Sequence, residues 1–233
     1  MNSIESPIVP LQENHEEVIE ALPGEVAAAF EKMCRTGLRN KRLSDVEREL
    51  VLLGIAVSIQ FYDTNGVRFR LRQARSAGAT RDQILGVILL GGGQGSHTYG
   101  KPGDSFLAIA IELGLIPEKD PEGVEAANAG LERRRGFRSK NWRGFMRLDP
   151  VFFAAYHDYM ASAVALLDER LTELLIIAAD VVAPNLVDAG THIRSALSRG
   201  IPLEDIVEVF NLAMLAAWKS SFIAANELLA EVD

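Results

Sequence analysis

The feature that most constrains this 233-residue chain is that it repeats itself. LSDVERELVLLGIAV (43–57) lines up with LDERLTELLIIAADV (167–181), and RLRQARSAGATRDQILGV (70–87) lines up with HIRSALSRGIPLEDIVEV (192–209). Both halves run in the same order: an acidic helix start, Glu-Leu, an aliphatic run, Arg-x-Ala, a glycine, then an acidic-aliphatic helix. Matched segments of this kind point to a duplicated unit in which each copy buries the other's apolar face.

The period of the pattern is helical. Apolar residues recur at i, i+3, i+4 in segments rich in Ala, Leu, Glu and Arg, and strand-like alternation is scarce. Helices are predicted over 24–37, 44–60, 66–77, 81–91 and 104–114, and again over 150–163, 168–182, 187–199, 203–217 and 219–231. Ser44, Thr80 and Asp168 stand where N-caps belong, and Gly78 and Gly200 where helices must end. The expected fold is all-α with two fused helical repeats. The first spans 1–120, with 1–20 a polar arm. A basic linker covers 121–148, and the second repeat covers 149–233.

Composition narrows the function. The formal net charge is −8, which argues against nucleic acid as a partner because phosphate binding needs surplus Lys and Arg. The one dense basic run, ERRRGFRSKNWRG (132–144), reads as a source of interdomain or subunit ion pairs. No apolar stretch approaches the roughly 20 residues that span a bilayer, and no secretory signal opens the chain, so a cytoplasmic protein with no membrane partner is expected. Cys34 is the only cysteine, so no intrachain disulfide can form. His15 and His157 lack metal-ligand company, and neither a metal nor another cofactor is expected. GGGQGSHTYGKPGD (91–104) lacks the Gly-Lys-Ser/Thr ending of a phosphate loop. It reads as a flexible glycine loop able to close over a ligand, with His97 inside it as a candidate site residue.

Glu173-Leu174, an aliphatic run, and then His192, Arg194, Ala196 and Gly200 resemble the pattern of the carboxymuconolactone decarboxylase family and the related alkyl hydroperoxidase D proteins. The stretch GLERRRGFRSKNWRGFMRLDPVFFAAYHDYM (130–160) is similar to the family's Gly-x-x-x-Arg-Arg lead into the next helix, and the likeness extends over about 40–231. The peroxidase branch carries Cys-x-x-Cys ahead of the histidine, where this chain has Asn185 and Asp188. Neither side chain supports disulfide chemistry. In the first half, Arg70 falls where the histidine would be, two residues further from Glu49 than His192 is from Glu173.

These residues make His192 and Glu173 the candidate catalytic pair, since imidazole titrates near neutrality and a carboxylate fixes its tautomer. Asp188, one turn before His192, could orient the ring. Arg194, Arg70 and Arg72 are candidate forks for a substrate carboxylate, and Asn185, Asp188 and His97 complete the candidate substrate contacts. For each of these residues the competing reading is a packed or ion-paired structural side chain. The resemblance implies a cofactor-free lyase that decarboxylates a small lactone carboxylate or organic acid in aromatic-compound catabolism. It also implies a homo-oligomer, a trimer for a fused chain; the Ala-rich segments 104–114 and 219–231 are candidate interface helices. Dehydration, isomerisation or ring opening could use the same residues. A non-catalytic small-molecule binder or assembly protein is the alternative from another class, and a peroxidase using Cys34 would require that thiol to be exposed and acidic.

Overall fold

The computed structural model describes residues 16, 19, 20, 22–58, 62, 64–135, 142–183 and 186–232. Among these the regular structure is entirely helical. In chain order the helices are α1 (Gly24–Gly37), α2 (Asp45–Ala56), α3 (Thr64–Ser76), α4 (Arg81–Gly91), a 3-10 segment (Gly92–Tyr99), α5 (Lys101–Glu112), α6 (Glu122–Arg135), α7 (Arg143–Leu148), α8 (Pro150–Val164), α9 (Glu169–Val182), α10 (Leu186–Ser198) and α11 (Leu203–Val232).

Local chemistry starts and stops these helices. Ser44 Oγ accepts from Glu47 N at 3.2 Å while Ser44 N donates to Glu47 Oε2 at 2.9 Å, and Thr80 and Gln83 repeat that reciprocal cap on α4. Asp168 Oδ1 accepts from Leu171 N at 2.7 Å and opens α9. Gly78 and Gly200 adopt φ of 101° and 81°, the left-handed turn that L side chains disfavour. Beyond each glycine the next amide reaches back five residues, Ala79 N to Ala74 O at 2.9 Å and Ile201 N to Ala196 O at 3.0 Å. The two repeats therefore end α3 and α10 with the same turn.

The repeats meet along α2 and α9. Each packs against the next helix of its own repeat, α3 or α10, and the two pack against one another. Leu50, Leu53 and Ile55 from α2, Leu171, Leu174 and Ile177 from α9, and Leu212 from α11 are almost wholly buried in the shared core. At one edge of it a charged network joins the repeats. Arg48 Nη2 pairs with Glu208 Oε1 at 2.7 Å, and Arg170 bridges Glu47 at 2.8 Å and Asp205 at 2.6 Å. The second oxygen of Glu208 accepts from the amides of Arg42 and Leu43, so this buried carboxylate has several donors around it.

Three segments differ from the sequence expectation. The stretch expected to be a basic linker contains α6 and α7, which pack with α8 around a second apolar cluster of Val124, Leu131, Phe145, Met146 and Phe153. The expected flexible glycine loop is a packed 3-10 helix. Its glycines serve close approach: a Cβ on Gly93 would lie 2.9 Å from Met160 Cε. Gln94 Nε2 donates to Ala179 O at 3.1 Å and Tyr156 Oη donates to Gly93 O at 3.1 Å, tying the segment to α9 and α8. The two helices expected over 203–217 and 219–231 are one continuous helix, α11.

Candidate active site

Glu173 lies on the buried face of α9, and His192 on α10 faces it. His192 Nδ1 is 3.0 Å from Glu173 Oε2, and Ser195 Oγ donates to Glu173 Oε1 at 2.7 Å. His192 and Ser195 are three residues apart on one face of α10, so one carboxylate takes a donor from each. Burial works against the charge on Glu173. The hydrogen bonds from His192 and Ser195, with the charges of His192 and Arg199, outweigh it and hold the carboxyl below its ordinary value. The ionised carboxylate only accepts, so Nδ1 of His192 carries the proton toward it. Proton exchange with a neighbouring molecule then goes through Nε2.

His192 borders a cleft with a cavity volume of about 50 Å³, between α9, α8 and the 3-10 segment. A single water needs roughly 10–15 Å³ on this measure, so the cleft has room for a few water-sized groups. Its floor and sides are largely apolar, with Leu90, Met160 and Ile176, and its polar lining includes Gln94, His97, Asp180 and His192. His97 Nε2 is 3.3 Å from Asp180 Oδ1. Trp142 also borders the cleft, and its Nε1–H is buried with no hydrogen-bond partner among the described residues.

Of the residues expected at the site, the structure brings together His192, Glu173 and His97. Glu173 stands behind His192, outside the cleft lining. The arginines are elsewhere. Arg70 is buried and pairs with Glu49 at 3.2 Å, with its guanidinium 5.0 Å from the Phe69 ring centroid. Glu49–Arg70 is the first-repeat counterpart of Glu173–His192, a fixed ion pair where the second repeat has a titratable one. Arg72 and Arg194 are exposed and do not border the cleft. Each lies two residues from the inward-facing Arg70 or His192, which turns it to the other side of its helix. None of these three arginines is therefore placed to hold a substrate in this cleft. Asn185 and the side chain of Asp188 lie outside the described residues.

Sequence reasoning missed Asp180 and Trp142. Asp180 had a signal: it follows Glu173 by seven residues, two helical turns, inside an otherwise aliphatic run. His157 is fully buried among the rings of Trp142, Phe153 and Tyr156. Cys34 is 1% exposed, and burial, followed by the Glu31 charge, pushes its thiol up to about 11. The exposed, acidic thiol that a Cys34 peroxidase needs is absent from this structure. Among the described residues no group of three or more His, Cys, Asp or Glu side chains is placed to hold a metal ion, and no helix is long and apolar enough to cross a membrane.

Comparison with known proteins agrees with this architecture. Residues 150–231 match the carboxymuconolactone decarboxylase family. No curated protein matches the sequence. Among solved structures, the chain is similar to a protein of Burkholderia xenovorans LB400 provisionally described as a gamma-carboxymuconolactone decarboxylase subunit. The two share 25% identity over 93% of this chain and 90% of that one, with a TM-score of 0.83. That likeness covers both repeats, while the family's sequence pattern resides in the second. Residues 150–231 thus carry the sequence pattern of the carboxymuconolactone decarboxylase family, and the chain as a whole is similar in fold to the Burkholderia protein.

Proposed function

We propose that the protein is a cofactor-free lyase of the carboxymuconolactone decarboxylase type, acting by proton transfer on a small organic acid or lactone. One observation carries this reading: His192, held from behind by Glu173 at 3.0 Å, borders a largely apolar cleft. When CO2 leaves a carbon conjugated to a carbonyl, the electron pair moves into that carbonyl, so the substrate is its own electron sink. The remaining need is a proton for the carbon. Imidazolium at His192 supplies it from Nε2, while Glu173 fixes the ring. Glu173 is thus a positioning residue. The apolar lining favours departure of a carboxylate as neutral CO2, and the indole N–H of Trp142 is a donor for a substrate oxygen.

The test is CO2 release from a panel of lactone carboxylates and 3-oxo acids, wild type against His192→Gln. Loss of the general acid is expected to lower kcat by about 10²–10⁴-fold. An unchanged rate in the variant would remove His192 from the chemistry. Tight binding of a panel member with no turnover by the wild type would instead support the binding-protein alternative. Product analysis separates decarboxylation from dehydration, isomerisation and ring opening, which need the same proton carrier.

A further inference from the structure

Glu173 and Asp180 share one face of α9, seven residues apart, which is roughly 10 Å along the helix axis. Each has a histidine from a different part of the chain. His192 comes from α10 of the second repeat and His97 from the 3-10 segment of the first. Ile176 and Ala179 lie between the two carboxylates and line the same cleft. Asp180 is 3% exposed within a run of Ile, Ala and Val, where a carboxylate is costly unless it serves a partner. His97 is held in place by its own segment, which Gln94 ties to the Ala179 carbonyl and Tyr156 ties to α8. Its side chain remains 25% exposed and borders the cleft.

We propose that His97 is a second acid–base catalytic residue of this cleft, positioned by Asp180, and that the substrate is a small oxo acid or unsaturated lactone whose carbonyl oxygen meets His97 while its reacting carbon meets His192. The proposal rests on the role given above to His192. In the step it describes, Nε2 of His192 takes the proton from the carbon next to the carbonyl. The C–H electron pair becomes the C=C bond of an enol, the carbonyl π pair moves to oxygen, and protonated His97 gives that oxygen its proton. One proton enters His192 and one leaves His97, so the charge of the site is conserved. In decarboxylation the electron pair comes from the C–CO2 bond. The enol then takes its carbon proton from protonated His192 and returns its oxygen proton to His97.

The experiment follows deuterium entry into 4-oxopentanoate, 2-oxobutanoate and a carboxymethyl butenolide by proton NMR, with the full chain in D2O. Wild type is compared with H97Q, H192Q, D180N and D180E, and thermal unfolding confirms that each variant is folded. The expected result is exchange by the wild type. His97→Gln should lose at least about 10-fold in kcat with KM within about threefold, as for loss of an acid–base group. Asp180→Asn should fall in the same direction, and Asp180→Glu should recover part of the rate, which a purely structural aspartate would not give. A wild-type rate in H97Q with a slow H192Q overturns the second acid and leaves the His192 reading standing. A wild-type rate in H192Q overturns the reading beneath it. Absence of wild-type exchange on all three probes overturns both. Should H97Q unfold, D180N against D180E decides by the same criterion.

Discussion

Glu173 shows how one residue couples site and stability. Its burial disfavours charge, yet its donors hold its carboxyl below the ordinary value. The folded state therefore binds this proton less tightly than the unfolded chain does. The stabilisation is present above the ordinary glutamate pKa of about 4.3 and is lost as pH falls through the lower folded value. Glu173→Gln keeps the shape and removes the titration. Urea midpoints from pH 7 down to pH 3 should fall less steeply for the variant than for the wild type; parallel curves would mean that the pair adds nothing to folding. This pair was legible in sequence through the family resemblance, whose pattern sets Glu173 and His192 19 residues apart; the stretch around His192 alone reads as core packing. Arg70 was legible as a departure from that pattern, but its fate was not, since only packing shows that Glu49 occupies its guanidinium. Asp180 and Trp142 were obscured by their company, an aliphatic run in one case and a basic stretch in the other.

At the scale of elements, the duplication reappears as two turns with the same geometry. Gly78 and Gly200 both take positive φ, and an added Cβ would meet only Val46 Cγ2 at 3.9 Å in the first case and nothing within 4 Å in the second. Substitution by alanine therefore tests the backbone alone. Gly78→Ala and Gly200→Ala should each cost about 1–2 kcal/mol, the penalty for an L residue in the left-handed region. Urea unfolding should return similar values for the two, and a cost well below this at either site would mean that its turn adopts another geometry. These helices were readable because their caps are local chemistry: Ser44, Thr80 and Asp168 at the starts, glycine at the ends. α6 and α7 were not. Glu122–Arg135 buries only a narrow stripe that includes Val124 and Leu131, and its arginines dominate the pattern. The 3-10 segment was misread because glycine signals both mobility and close contact, and only the positions of Met160 and Tyr156 distinguish them.

For the whole molecule, the informative surface is apolar. On α11, Leu203, Val207, Phe210, Met214 and Trp218 are exposed, at spacings of three and four residues that put them on one side of the helix. On α5, Phe106, Ile109 and Leu113 form a second such stripe, each more than half exposed. A monomer rarely leaves contiguous stripes of this kind to water, and burial of apolar surface contributes about 25 cal/mol per Å². The occupant we expect is another copy of this chain, because helices with one uncovered apolar side satisfy each other by pairing in a symmetric assembly. Light scattering should therefore return a mass above the 25.5 kDa of one chain, with a trimer at three times that value. Phe210→Glu with Met214→Glu places charges on the α11 stripe without touching His192, Glu173 or His97. It should shift the protein toward 25.5 kDa while the helical circular dichroism signal persists. The pair Phe106→Glu and Ile109→Glu tests α5 in the same way. If only one pair dissociates the assembly, that helix is the interface. A wild type that stays at the single-chain mass across the accessible concentration range would mean that these stripes do not pair copies of this chain.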